Sequence, residues 1–135
     1  MNAEGNMRGE KIHLSLPVNA AYVSAARLTV SSVANRMGFS IDEIEDIKTA
    51  VSEACTFIIK KAHSDSRNEF RISLLLEADT MEICICSQYD KDLELTEDDM
   101  CLTLIRGLVE SFEIRKEDSE LIITLYKKHL GLNLD

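Results

Sequence analysis

Apolar side chains recur in this chain with two different periods, and the switches between them divide it into elements. Lys11 to Leu16 alternates, with Ile12, Leu14 and Leu16 on one side, which predicts a strand. Pro17 ends it, and Asn19 is placed to cap the next element. From Ala20 to Met37 the period becomes helical, with Val23, Ala26, Val30, Val33, Ala34 and Met37 on one face and Gly38 as the stop. Ser40 and Glu43 then form an S-x-x-E capping box for a long amphipathic helix, Ile41 to His63. Ile44, Ile47, Val51, Ala54 and Ile58 trace its stripe.

Beyond the polar break H-S-D-S-R-N, Phe70, Ile72, Leu74 and Leu76 mark a second strand. Ala78-Asp79-Thr80 turns the chain, and Met81 to Cys86 returns as its hairpin partner. Gln88 to Asp98 is acidic and irregular, a loop. Asp98 or Asp99 caps a third helix, whose stripe is read as Met100, Leu104, Leu108 and Val109. A last hairpin joins Phe112–Ile114 to Leu121–Tyr126 through Lys116 to Ser119. The order β-α-α-β-β-α-β-β predicts an α+β two-layer sandwich: a mixed, mostly antiparallel sheet with helices on one face.

Length and charge narrow the classes. At 135 residues the chain is one domain, read here as residues 11–130 between a tail at 1–10 and a short tail at 131–135. The formal charge of -9 argues against direct nucleic-acid or anionic-membrane binding, which need a basic face. No apolar run approaches the about 20 residues that span a bilayer. The start, M-N-A-E-G-N-M-R-G-E, has no apolar core of a signal peptide. The four cysteines show no C-x-x-C pair or His/Cys grouping, so reduced, buried thiols in a cytoplasmic protein are expected, with no metal site. His13, His63 and His129 are scattered; His63 suits a helix C-terminus as a dipole partner.

The candidate chemistry sits in the second helix. Glu53 is a lone acid in the small-residue stretch S-E-A-C-T, and one turn on, at i+4 on the same face, stands Phe57. Glu53 reads either as a catalytic base or as an acid on the helix flank. Phe57 reads as core filling. Cys84 and Cys86 share one face of their strand, but two further ligands for a metal are missing.

Three segments resemble the GHKL (Bergerat-fold) ATPases, and among them the anti-sigma factor kinases of the RsbW and SpoIIAB type. They are A-R-L-T-V at Ala26–Val30, E-D-I-K-T-A-V-S-E-A-C-T at Glu45–Thr56, and L-T-L-I-R-G-L-V-E-S-F-E-I at Leu102–Ile114. The second is the specific one, and the likeness runs from about Lys11 to Lys128. It implies a kinase-type site in which Glu53 takes the general-base position and Phe57 the position of an asparagine that holds Mg²⁺. A phenyl ring offers no oxygen to that ion. The family's D-x-G-x-G falls on Ser87, Tyr89 and Lys91, and its second glycine pair on Asp99 and Cys101.

A phosphate cradle works through bare backbone N–H groups at a helix N-terminus. Here a carboxylate stands in that place, and like charge costs about 1 kcal/mol in water and about 4 near a protein surface. No glycine lies between Phe39 and Arg106, and Gln88–Asp98 is short for the family's ATP lid. The resemblance therefore implies an anti-sigma-type regulator that binds a sigma factor or an anti-anti-sigma antagonist, with ATP binding lost and no cofactor. Arg27 matches the first-helix arginine that the family uses for partner contact. The run Tyr89–Asp99 is a contact surface for a basic partner or a solvated loop. The family commonly forms homodimers, for which strand Lys11–Leu16 is a candidate edge. The competing reading is an active serine-protein kinase using Mg·ATP, with Ser52, Thr56 or Ser87 as substitute metal ligand.

Overall fold

The structure, a computed structural model, describes residues 9–62, 67–89 and 99–129. Strands β1 (Glu10–Pro17), β2 (Glu69–Glu77), β3 (Thr80–Gln88), β4 (Ser111–Glu117) and β5 (Glu120–Lys128) form one sheet in the order β1-β2-β3-β5-β4. Every pairing in it is antiparallel. A 3₁₀ turn (Ala20–Tyr22) leads into α1 (Val23–Met37), followed by α2 (Ile41–Lys61) and, after β3, α3 (Met100–Arg106). The predicted two-layer architecture and element order are both present.

The period of two explains the layering. Ile72, Leu74 and Leu76 on β2, Met81, Ile83 and Ile85 on β3, and Leu121, Ile123 and Leu125 on β5 are buried on the face that carries the helices. α1 turns Ala26, Val30 and Ala34 inward, small side chains that let it lie close against α2. α2 buries a wide face comprising Ile47, Ala50, Val51, Ala54, Cys55, Phe57 and Ile58, because it meets α1, α3 and the sheet together. The face opposite the helices carries His13, Ser73, Cys84, Thr124 and Glu113 in one cross-strand row.

Local chemistry sets the ends. Gly38 adopts φ 93°, where its amide reaches the Ala34 and Asn35 carbonyls and closes α1. Ser40 Oγ accepts from Glu43 N–H at 3.1 Å and Glu43 Oε1 accepts from Ser40 N–H at 2.7 Å, completing the capping box. The same carboxylate lies 3.1 Å from His129 Nδ1, whose ring rests 5.2 Å from that of Phe39. The start of α2 is thereby fastened to the end of β5. Asp118 and Ser119, at φ 49° and 71°, make the two-residue β4–β5 turn, a geometry that suits the right-handed twist of the strands.

Several sequence expectations need correction. The inward face of α3 is Cys101, Leu102 and Ile105, whereas Met100 and Leu104 point outward at 68% and 44% exposure. A helix of under two full turns gives period too little length to fix its phase, and the Asp99 cap fixes it instead. α2 ends at Lys61, and His63 lies outside the described residues, so its dipole role is not placed. Gln88 closes β3, and Tyr89 pairs with Ala62 in an isolated bridge. The remainder of that expected acidic loop, 90–98, is also outside the described residues. Cys84 and Cys86 are half-buried on the open face; only Cys55 and Cys101 are core thiols, and all four are free.

Replacing Ser40 with Ala should cost about 1 kcal/mol, the usual worth of a helix cap. Urea unfolding should show an earlier midpoint with an unchanged slope.

Candidate functional site

The candidate site lies where the C-terminal half of α2 meets the N-terminus of α3. α2 sends two polar groups to this seam. Lys60 Nζ is 3.3 Å from Asp99 Oδ2, and Glu53 lies near enough to the Cys101 thiol to raise its pKa. Lys60 stands seven residues beyond Glu53, two helical turns, so one stripe of α2 holds both.

Asp99 is the N-cap of α3. Its Oδ1 accepts from Cys101 N–H at 2.8 Å, so a carboxylate of the chain itself sits on the helix N-terminus. Burial pushes its pKa upward. The Cys101 amide and thiol and the Lys60 ammonium more than offset this and hold Asp99 below the usual carboxylate value. Burial works against the Lys60 charge, yet its bond to Asp99 leaves that ammonium harder to deprotonate than usual. Burial, then hydrogen bonds to Glu53 and Asp99, pushes the Cys101 thiol up to about 11. Burial alone takes Cys55 to about 12. Both stay protonated at neutral pH and are poor nucleophiles.

Phe57 is fully buried, 0% exposed, within the main core, with Lys61 Nζ 5.6 Å over its ring. Ser87 faces the helices at the end of β3, 1% exposed, and donates to the Glu69 carbonyl at 3.0 Å. Tyr89 is half-buried with Lys116 Nζ 5.4 Å over its ring. Lys91 lies outside the described residues. Asp99 and Cys101 are therefore hydrogen-bonded to each other, with Glu53 beside the Cys101 thiol. Lys60 completes the seam, a residue that the helical pattern does not single out; its one signal is the i+7 spacing from Glu53.

A magnesium-bound triphosphate does not fit this arrangement. The position one turn after Glu53 is a hydrocarbon ring where Mg²⁺ needs oxygen. The hydroxyls of Ser52 and Thr56 donate to the Lys48 and Ser52 carbonyls at 2.9 and 2.8 Å, which fixes both along the helix. An incoming phosphate would meet the Asp99 carboxylate on the amide it needs. Among the described residues no cluster of His, Cys, Asp and Glu is suited to a metal ion.

Arg27 belongs to another surface. It is exposed on α1 and lines a shallow recess of about 210 Å³ with Ser24, Leu28 and Lys48. Leu28 is 67% exposed, an apolar side chain beside a cation, and it lies off the apolar stripe by which α1 is recognised.

The residue pattern of the histidine kinase-like ATPase domain matches residues 16–127. The serine-protein kinase RsbW of Bacillus cereus (strain Q1) is 36% identical, the match covering 86% of this chain and 84% of that protein. RsbW of Bacillus mycoides (strain KBAB4) is 35% identical over 84% of this chain and 82% of that protein. In structure, the RsbU and RsbW domains of a Mycobacterium tuberculosis protein superpose with a TM-score of 0.68 at 14% identity, covering 88% of this chain and 32% of that one. The SiaB–SiaC complex of Pseudomonas aeruginosa gives 0.64 at 9% identity, covering 93% of each chain. At such identities the structural likeness speaks for the fold alone.

Phe57→Ala should remove about 3–5 kcal/mol of stability, the usual loss for a buried phenyl ring. Denaturant unfolding would read this directly, and a loss under about 1 kcal/mol would mean the ring is not packed. Asp99→Asn keeps a cap but removes the charge. Since Asp99 is held low when folded, its contribution is complete above the unfolded carboxylate value of about 3.9 and disappears as pH falls through the depressed value. The stability gap between wild type and Asp99→Asn, about 1 kcal/mol or less for a half-exposed lysine partner, should therefore close on acidification below about pH 4.

Proposed function

The chain belongs to the histidine kinase-like ATPase family and within it to the RsbW group. From that premise we propose that it is an anti-sigma-type regulator that acts by binding protein partners, with ATP binding and phosphoryl transfer lost. The observation that carries this reading is the Asp99 carboxylate. It caps α3 and pairs with Lys60, so the anion position that a nucleotide phosphate would take is filled by the chain itself. Phe57, packed where the family's metal-holding side chain stands, supports the same reading.

Protein binding does not require the lost site, since interface energy concentrates in a few desolvated anchors. Arg27 and the exposed Leu28 supply a cation and an apolar anchor side by side on α1. The partner proposed is a sigma factor or an anti-anti-sigma antagonist inside the cytoplasm. No described helix is long and apolar enough to cross a membrane. A homodimer joined along the β1 edge belongs to the same proposal. Without phosphoryl transfer, release of a partner would rest on competition between partners and not on covalent modification of one.

The retained Glu53 favours a second reading, an active serine-protein kinase. Calorimetric titration with Mg·ATP separates the two. No saturable heat up to millimolar nucleotide is expected, and binding tighter than that would overturn the proposal in favour of the kinase. For the interface, Arg27→Glu should weaken binding of a sigma factor from the native host by more than tenfold, about 1.4 kcal/mol, with an unchanged Tm. Normal binding by the variant would exclude the α1 surface.

A further inference from the structure

β1 closes one side of the sheet, and the chemistry of its outer rim is fixed residue by residue. The Val18 amide donates to the Asn68 carbonyl at 3.3 Å, in step with the pairing of Leu16 and Phe70. Bonded pairs alternate along an antiparallel ladder, so the even-numbered residues of β1 turn their N–H and C=O groups to β2. Lys11, His13 and Ser15 turn theirs outward, and among the described residues no strand takes them up. Pro17 also stands at an outward position, where its missing N–H breaks no bond to β2. At the other end Gly9, at φ 74° with its amide on the Leu76 carbonyl, makes a bulge. The straight part of the rim is therefore short, Glu10 to Leu16.

That stretch is self-complementary about His13. Ile12 and Leu14 flank it on the helix side, both half-buried, whereas their partners on β2, Leu74 and Ile72, are fully covered. Lys11 and Ser15 flank it on the open side, both exposed. A twofold interface requires such a pattern, because one patch must serve both copies. With His13 on the axis, Lys11 faces Ser15 of the second copy and Ile12 faces its Leu14. Every outward donor between the bulge and the proline is then bonded. A shift of two residues one way sets Lys11 against Pro17 and loses a donor. A shift the other way sets Leu14 against Glu10 and runs Ser15 into the bulge at Gly9.

We propose that two copies join β1 to β1, antiparallel, in this one register with His13 on the axis. The inference rests on the homodimer reading above and adds the residues that set it. Contact between Ile12 and Leu14 of the two copies covers the half-buried rim of each core. The axis stands perpendicular to the sheet, so the helices of both copies lie on one side of a continuous sheet. Both Arg27–Leu28 surfaces belong to that helical layer, and the dimer offers a partner two equivalent sites on the same side.

Sedimentation of the full-length chain reads the monomer–dimer equilibrium. A dimer is expected. Ser15→Pro removes one outward N–H per copy and leaves the β2 ladder intact; it should weaken the dimer at least about tenfold with unchanged circular dichroism. Ser15→Lys sets a lysine against Lys11 at two symmetric places and should weaken it at least about threefold, since like charges facing across strands are unfavourable. Adding Lys11→Glu to Ser15→Lys should bring the affinity back to that of wild type or better. Should Ser15→Pro disturb the fold, the charge pair decides. A monomeric wild type would overturn the homodimer reading and this register together. A dimer unmoved by a folded Ser15→Pro, or by Ser15→Lys, or one that Lys11→Glu does not restore, would overturn the register and leave the homodimer standing.

Discussion

α2 is held on three sides at once, by α1, α3 and the sheet, and no other described helix is so constrained. A helix in that position is buried on most of its surface, and it buries small residues, Ala50 and Ala54, together with large ones, Ile47, Phe57 and Ile58. Interiors at near-crystalline density transmit strain, so the ring at position 57 is part of the packing of the whole helical layer. An asparagine there would bring an amide into apolar surroundings, where an unpaired polar group costs on the order of 1–3 kcal/mol.

The seam between α2 and α3 answers an electrostatic problem with a local solution. The first amides of any helix lack internal partners and attract negative charge. In a nucleotide-binding relative that attraction is available to a ligand. Here Asp99 satisfies it within the chain, and Lys60 balances the carboxylate from the facing helix. Asp99 is bonded to both the Lys60 ammonium and the Cys101 amide, and among the described residues no side-chain polar atom is left buried without a partner.

Much of this was legible in the sequence. The capping box at Ser40 and Glu43, the Gly38 stop and the alternation along β2 and β3 each have a local cause, and each stands where the chain predicts it. The phase of α3 was not legible, because seven residues of helix show two plausible stripes and only the cap chooses between them. Of the site, Glu53 and Phe57 stood out by their i, i+4 spacing, and Asp99 by the family resemblance. Lys60 could not be assigned without knowing that α3 crosses α2 at that height. The reach of Glu43 to His129 was equally hidden, since it joins residues 86 apart in sequence.

The two rims of the sheet are unlike. β4, S-F-E-I-R-K-E, crowds Glu113, Arg115, Lys116 and Glu117 along the outer strand, and Arg115 is tied to its own neighbours, 3.0 Å from Glu117. Charged outer strands resist the addition of a further strand. β1 carries Lys11 and His13 on its open side and leaves its backbone rim unpaired among the described residues. If two copies paired along β1 as proposed, the charged β4 rims left outside would resist further strands, and growth would stop at a closed pair short of a fibre.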